Sequence, residues 1–484
     1  MSPLLEADSV AQAELFASGA TTAEALLEAS LAQIHAHQEL GAFLHVSLDA
    51  ARQTARTLDM RRARGETLGP LAGVPIAIKD ALCTQDAPTT AASKILEGYV
   101  PPYDATVVAR LRAADAVLVG KANMDEFAMG SSNEHSAYFP AKNPWDEART
   151  PGGSSGGSAV SVAARMCSAA LGSDTGGSVR QPAAFTGIVG LKPTYGRISR
   201  YGLLAYASSL DQVGPMASSV RSVARLLEVI AGHDPLDATS STEPVPTFTA
   251  PAGDLRGVRI GVLEPWFDGV VDEGLRARHR EAREALREAG ATLTPVRWPE
   301  ADAAIATYYV LASAEASSNL SRYDGIRYGL AGRGASLRER IVDARSRGFG
   351  AEVKRRILLG TFVLSAGYYD AYYVKALSVR ARVRAAAHAL CMQFDALLAP
   401  VTPEPAFALG ARTADVMAMY ASDLFTLPAS LAGIPAASVP VGCCAAPRLP
   451  AAVQVMAGPW REAEVLRVAT ALEARFPREV APSV

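Results

Sequence analysis

Residues 130 to 215 constrain this chain more than any other stretch: glycine, serine and small apolar residues crowd together there, and the long charged side chains that cover exposed helices are scarce. Two clusters dominate the stretch, Pro151-Gly152-Gly153-Ser154-Ser155-Gly156-Gly157-Ser158 and Asp174-Thr175-Gly176-Gly177-Ser178-Val179-Arg180. A Gly/Ser run can be a flexible linker. The first cluster, however, runs directly into SAVSVAARM, a small-residue helix pattern, and then into the strand-like CSAALGSDT. Such a neighbourhood is a packed interior. Glycines in it let the backbone adopt conformations closed to other residues and approach a ligand closely. Phosphate binding is the other common use of such a loop, but the G-x-x-x-x-G-K-[ST] pattern is absent.

The second cluster follows a strand pattern, and a tight turn there exposes the Ser178 hydroxyl. Its glycines leave the backbone N–H groups of Thr175, Gly176, Gly177 and Ser178 free to converge on one point. That is what an oxyanion hole needs, and losing one such donor costs about 10² to 10³ in rate. Asp174 and Arg180 bracket the turn and read as a structural ion pair. A serine nucleophile also needs a base. Only His135 lies in the central region, and it has no triad context. Lysine serves if burial lowers its pKa, because desolvation disfavours the ammonium form. Lys79 closes the apolar run LAGVPIAIK, residues 71 to 79. Alone, a lysine at a strand end is more often a surface residue; beside the two serine clusters it becomes the candidate base.

The rest of the chain reads as layered α/β structure. AEALLEASLAQIHAHQ after Thr22 carries helical spacing, residues 104 to 114 predict a helix, and AVLVGK (116 to 121) predicts a strand. The Pro/Ser/Thr-rich stretch 233 to 256 reads as a surface connection within one domain, because GVRIGVL and the amphipathic helix 272 to 289 resume the alternation directly. The arginine-dense segment 332 to 348 reads as a solvated helix face. Length alone allows about three domains, but large α/β enzymes can exceed that prior as one unit.

Composition excludes several classes. With a formal net charge of −2, the chain lacks the strongly basic domain of a free-standing nucleic-acid binder. Its five cysteines never form C-x-x-C, which argues against a disulfide framework or zinc site and for a reducing cytoplasm. The first residues, MSPLLEADSVAQAELF, lack the basic-then-apolar pattern of a signal peptide, and no run approaches the roughly 18 to 20 apolar residues of a membrane span.

GVPIAIKD, PGGSSGGS and GSDTGGSVRQPA, in this order and spacing, resemble the amidase signature family. The resemblance implies an α/β fold with a mixed central β-sheet flanked by α-helices on both faces, formed by residues 1–484 as a single amidase signature domain with a helical N-terminal segment over about 1–65. It implies a Ser–cis-Ser–Lys triad of Ser178, Ser154 and Lys79, with a cis peptide before Ser154. Lys79 then takes a proton from Ser154, which takes one from Ser178. Further segments, among them GKANMDEFAMGSSNEHSA, GLKPTYGRISRYGLLAYASSLDQVGP, RYDGIRYG and GFGAEVKRRILLGT, resemble the A-subunit family of the glutamyl/aspartyl-tRNA amidotransferases. That family hydrolyses glutamine and hands ammonia to a partner subunit, which uses ATP and Mg to activate misacylated Glu-tRNA(Gln) or Asp-tRNA(Asn).

The resemblance therefore implies a heterotrimer with the B and C subunits of the amidotransferase, tRNA held mainly by the partner, and no metal or organic cofactor in this chain. Free glutamine carries a carboxylate and an ammonium, so its pocket needs one cation and one anion. The resemblance places Arg356 at the carboxylate, with Arg355 as competitor, Asp423 at the amino group, and Tyr309 beside the ligand. Ala81 stands where the family commonly has asparagine, next to Lys79-Asp80. A stand-alone amidase and a non-catalytic scaffold are the rival readings; the amidotransferase segments argue against the first, and intact Lys79, Ser154 and Ser178 against the second.

Overall fold

The computed structural model describes residues 2–248 and 254–482. Its frame is one eleven-stranded sheet. In chain order the strands are β1 (Phe43–Val46), β2 (Pro75–Lys79), β3 (Val117–Ala122), β4 (Ala169–Asp174), β5 (Val189–Lys192), β6 (Gln212–Ala217), β7 (Arg259–Leu263), β8 (Thr292–Val296), β9 (Ala396–Pro400), β10 (Ala436–Cys443) and β11 (Pro450–Met456). Across the sheet they lie in the order β1-β3-β2-β4-β6-β5-β10-β11-β9-β7-β8. β3, β2 and β4 are parallel to one another, as are β9, β7 and β8, while the strands between them pair antiparallel. The sheet is mixed, as the resemblance implied.

Successive side chains of a strand point to opposite faces, and here both faces are covered. Ile76 and Ile78 of β2, Leu118 of β3 and Ala169 and Leu171 of β4 pack into one core with Val107, Val108, Leu226 and Leu227 from the helices Thr106–Ala113 and Val220–Ile230. Ala77, Val117, Val119 and Ala170 face the other way, into a second core with Leu26 and Leu27 of the helix Ala23–Ala36 and Val160 and Val162 of the helix Gly156–Ala163. A strand buried on both faces must be apolar throughout. That is why PIAIK and AALGS show no polar alternation.

The N-terminal segment has helices at Ser9–Ala17, Ala23–Ala36 and Leu48–Ala63, with the short edge strand β1 between the last two. The Thr22 hydroxyl accepts from the Ala25 N–H at 3.0 Å and fixes the start of the second helix. The predicted strand 71 to 79 shortens to Pro75–Lys79, because Ala72 and Val74 close turns onto Gly69 and Leu71 and Gly73 takes φ +77°. The arginine-dense segment forms the helix Leu337–Gly348 behind a Ser336/Glu339 capping box, and most of its side chains face solvent. The stretch 233 to 256 has no helix or strand among its described residues; 249 to 253 lie outside them.

Candidate active site

Parallel pairing brings the carboxyl ends of β2 and β4 to one edge of the sheet, with Ile78 opposite Leu171. Ligand sites of α/β sheets form at such carboxyl ends. Lys79 ends β2, and β4 runs into the turn Thr175–Ser178. Between them the loop before the helix Gly156–Ala163 delivers Ser154, through a cis peptide bond between Gly153 and Ser154. Gly153 has no room for a side chain, since a Cβ there would fall 2.0 Å from Asp125 Oδ2.

Lys79 Nζ lies 2.7 Å from Ser154 Oγ, 2.8 Å from Ser155 Oγ and 3.3 Å from the Ser173 carbonyl oxygen. The lysine is wholly buried. Burial pushes its pKa down to about 7, against the opposing pull of Asp125, Asp174 and Asp211. A substantial neutral fraction at neutral pH follows, which is what a proton acceptor requires. Ser178 is anchored through its carbonyl, which accepts from the Ser155 N–H at 3.2 Å. Its hydroxyl makes no hydrogen bond among the described residues.

The turn around Ser178 is held from outside. Asp174 and Arg180 are both fully buried and form an ion pair at 2.9 Å. Arg180 also donates to the Thr426 carbonyl, Gln454 Oε1 and Ser430 Oγ. Burial raises the Asp174 pKa, but the Arg180 guanidinium outweighs it and holds the carboxylate below its usual range. Thr426 Oγ1 donates to the Gly176 carbonyl at 2.7 Å, and a Cβ on Gly177 would meet that oxygen at 2.2 Å. Among the described residues, the N–H groups of Thr175, Gly176, Gly177 and Ser178 donate to no other group. They remain available to an oxyanion.

Beside the turn, Asp423 is buried, accepts from Ser131 Oγ, and leaves its Oδ1 without a partner. A Cβ built on Gly177 would stand 3.2 Å from that oxygen. Burial pushes the Asp423 pKa up to about 7, which the Ser131 hydrogen bond resists. An unsatisfied buried carboxylate oxygen is a place for a donor. Arg356 lies buried in an aromatic cage: its guanidinium carbon stands 4.8 Å from the Tyr309 ring centre, 5.0 Å from Tyr420 and 5.6 Å from Tyr206. Tyr309 and Tyr420 stack at 3.6 Å, and Arg356 donates to Glu352 Oε1 at 2.7 Å and to the Tyr206 hydroxyl. Arg355 pairs with the other oxygen of Glu352, yet its side chain is 46% exposed against 4% for Arg356. Burial and the cage therefore separate the two arginines.

Ala81 is buried in the apolar core, with its carbonyl accepting from the Leu204 N–H at 2.9 Å. Lys79 takes its contacts from Ser154, Ser155 and Ser173 without help from position 81.

Several residues of this centre carry no mark of their role in the sequence. Glu352 has a usable signal, lying four residues before Arg356 on one helix face. Ser155 is visible only as a neighbour of Ser154. Tyr206 reaches the site from a distant segment; Tyr420 and Thr426 each lie three residues from Asp423, but nothing local marks their role. Among the described residues, no group of three or more His, Cys, Asp or Glu could hold a metal ion, and no helix is long and apolar enough to cross a membrane.

Comparison with known proteins gives the family. The amidase family pattern matches residues 25–466. The A subunit of the glutamyl-tRNA(Gln) amidotransferase of Anaeromyxobacter sp. (strain K) is 55% identical over 469 residues, covering 96% of this chain and 94% of that protein. The crystal structure of the corresponding A subunit from Thermotoga maritima aligns at a TM-score of 0.78 and 42% identity, covering 96% of this chain and 95% of that one. The peptide amidase of Stenotrophomonas maltophilia aligns at 0.83 but only 31% identity, covering 99% of each chain. Backbone likeness alone thus does not separate an amidotransferase chain from a stand-alone amidase, whereas identity does. This chain belongs to the amidase family and, within it, to the glutamyl-tRNA(Gln) amidotransferase A subunits.

Proposed function

We propose that this chain is the glutaminase component of a cytoplasmic tRNA-dependent amidotransferase. It releases ammonia that a partner subunit uses to convert Glu-tRNA(Gln) to Gln-tRNA(Gln), with Asp-tRNA(Asn) as the second acceptor to assay. The observation that carries the reading is the buried Lys79–Ser154 contact beside a turn whose four N–H groups have no partner among the described residues. Ser178 Oγ attacks the side-chain carboxamide carbon of glutamine, and its proton passes to Ser154 as Ser154 gives its own to neutral Lys79. The N–H groups of residues 175 to 178 hold the oxyanion. As the C–N bond breaks, the proton returns from Lys79 through Ser154 to the leaving nitrogen, and ammonia departs. Water then cleaves the glutamyl ester on Ser178 by the same relay, which frees glutamate.

Arg356 takes the α-carboxylate and Asp423 the α-ammonium, with Tyr309 packed beside the ligand. Burial of both charges supports the assignment, because a zwitterion between two desolvated opposite charges is recognised at both ends. ATP and Mg chemistry belongs to the B subunit, and the C subunit completes a heterotrimer. Association is supported by an exposed apolar face on the helix Ala351–Val363 and the turn after it, where Leu358 is 70% exposed and Phe362, Tyr368 and Tyr372 are each more than 40% exposed.

The test is a glutaminase and amidation assay of the chain with and without its co-expressed partners, on each misacylated tRNA. Glutamine hydrolysis coupled to Gln-tRNA(Gln) formation is expected only in the complex. Turnover of simple aryl or alkyl amides by the isolated chain, with no gain on assembly, would instead identify a stand-alone amidase.

A further inference from the structure

Two consecutive acidic residues, Asp125 and Glu126, lie between the serine loop and the arginine helix, and their carboxylates face opposite ways. Asp125 faces the serine loop. Its N–H donates to the Ser154 carbonyl at 3.2 Å, and its carboxylate accepts from the Asn133 and His135 N–H groups at 2.9 and 3.0 Å. Glu126, only 2% exposed, faces the start of the helix that carries Arg356. Its Oε2 accepts from the Gly350 N–H at 2.8 Å, and Gly350 is the residue that opens the helix Ala351–Val363. Its Oε1 accepts from the Ser93 hydroxyl, which also lies 3.2 Å from the Gly348 carbonyl oxygen. A Cβ on Gly350 would fall 2.4 Å from Glu126 Oε2, so any side chain there would have to displace the Glu126 carboxylate. The Phe127 ring beside it packs on Tyr323 and Phe349 at 4.9 and 5.8 Å.

We propose that Glu126 is a positioning residue for glutamine: it fixes the start of the Arg356 helix against the loop that holds Ser154, and so sets the distance between the carboxylate clamp and the nucleophile. A carboxylate buried among these groups is costly, and burial does push Glu126 towards neutrality. A structural cap would be served by an exposed serine or aspartate. A buried, two-ended acceptor instead ties three chain segments, at residues 93, 126 and 348 to 350, to one another. The inference rests on Arg356 binding the substrate carboxylate.

The test uses the assembled enzyme and two substrates, glutamine and 4-aminobutanamide, which is glutamine without its α-carboxylate. Glu126→Ala is expected to raise KM for glutamine roughly tenfold, the scale of one lost charge-assisted hydrogen bond, with kcat within about threefold of wild type. kcat/KM for 4-aminobutanamide is expected to stay unchanged. In an Arg356→Ala background, Glu126→Ala should add nothing further. Glu126→Gln keeps an acceptor for the Gly350 N–H and can donate to Ser93 Oγ, so it should restore the wild-type KM. If Glu126→Ala does not assemble, Ser93→Ala removes the second tie and is read the same way, with a rise of about threefold expected. Equal losses on both amides, a fall in kcat at constant KM, or full additivity with Arg356→Ala would overturn the inference. Wild-type complex that hydrolyses 4-aminobutanamide but not glutamine would instead overturn the proposed function.

Discussion

Lowering the pH should disable this site through two groups, and kinetics can tell them apart. Lys79 must be neutral to accept a proton, and burial sets its pKa at about 7. In the proposed binding mode Asp423 must be ionised to hold the substrate ammonium, and burial pushes its pKa up to about 7 as well. The signs agree: each group is competent only when deprotonated. At pH 8 about nine-tenths of either group is competent, at pH 6 about one-tenth and at pH 5 about one-hundredth. kcat reports groups in the enzyme–substrate complex, where Asp423 is already paired, so it should fall about tenfold per unit below pH 7. kcat/KM reports the free enzyme, where both must be deprotonated, so it should fall about a hundredfold per unit. Glutamate production is the readout, because ammonia detection itself varies with pH. Asp423→Asn should raise KM and reduce the kcat/KM slope to about one while leaving the kcat profile in place. A kcat that stays flat from pH 8 to 5.5 would remove Lys79 from the relay, and a kcat/KM slope of one in wild type would remove Asp423 from binding.

The other expected outcomes concern single side chains. Ser178→Ala should abolish glutamine-dependent amidation in the complex but leave amidation from added ammonium salt intact; loss of both would show a structural role for Ser178. Arg356→Ala should weaken glutamine binding by about 1.5 to 3 kcal/mol, the range for hydrogen bonds to a charged group, measured as KM. An unchanged KM would put the carboxylate elsewhere. Asp174→Ala strands the fully buried Arg180 guanidinium and should destabilise the fold by about 3 to 5 kcal/mol, measured by urea unfolding. A loss below about 1 kcal/mol would show that Thr426, Gln454 and Ser430 satisfy Arg180 without the ion pair.

What the sequence discloses about this fold follows from how local each signal is. PIAI of β2 and AALG of β4 are unbroken apolar runs because both faces of the central strands are covered, and that pattern survives in the linear text. The edge strand β1 is only partly buried along its length, so its four residues lack the apolar continuity that marks the inner strands. Strands β10 and β11 pair with each other as neighbours in sequence, from Cys443 opposite Pro450 to Ala436 opposite Met456, but no local pattern states that β10 should lie against β5 or β11 against β9.

The site divides in the same way. Gly153, Gly177 and the serines after them are legible because the constraint is steric and immediate: a Cβ at either glycine would collide with Asp125 or Thr426. Lys79 is legible only through its company: a lysine at a strand end is more often a surface residue, and the two serine clusters are what mark it as the base. The choice between Arg355 and Arg356 is not local. Adjacent residues on a helix differ by about 100° in direction, and only the cage of Tyr206, Tyr309 and Tyr420 decides which guanidinium turns inward. Those tyrosines come from three separate segments, as do Ser93, Glu126 and Gly350 at the helix start. The proposed cleavage chemistry is thus written in short contiguous motifs, while the proposed glutamine pocket is assembled by folding from segments around residues 206, 309, 352 to 356 and 420 to 423 that lie far apart in sequence. A substitution far from the glycine clusters can therefore alter which amide is cleaved without touching how it is cleaved.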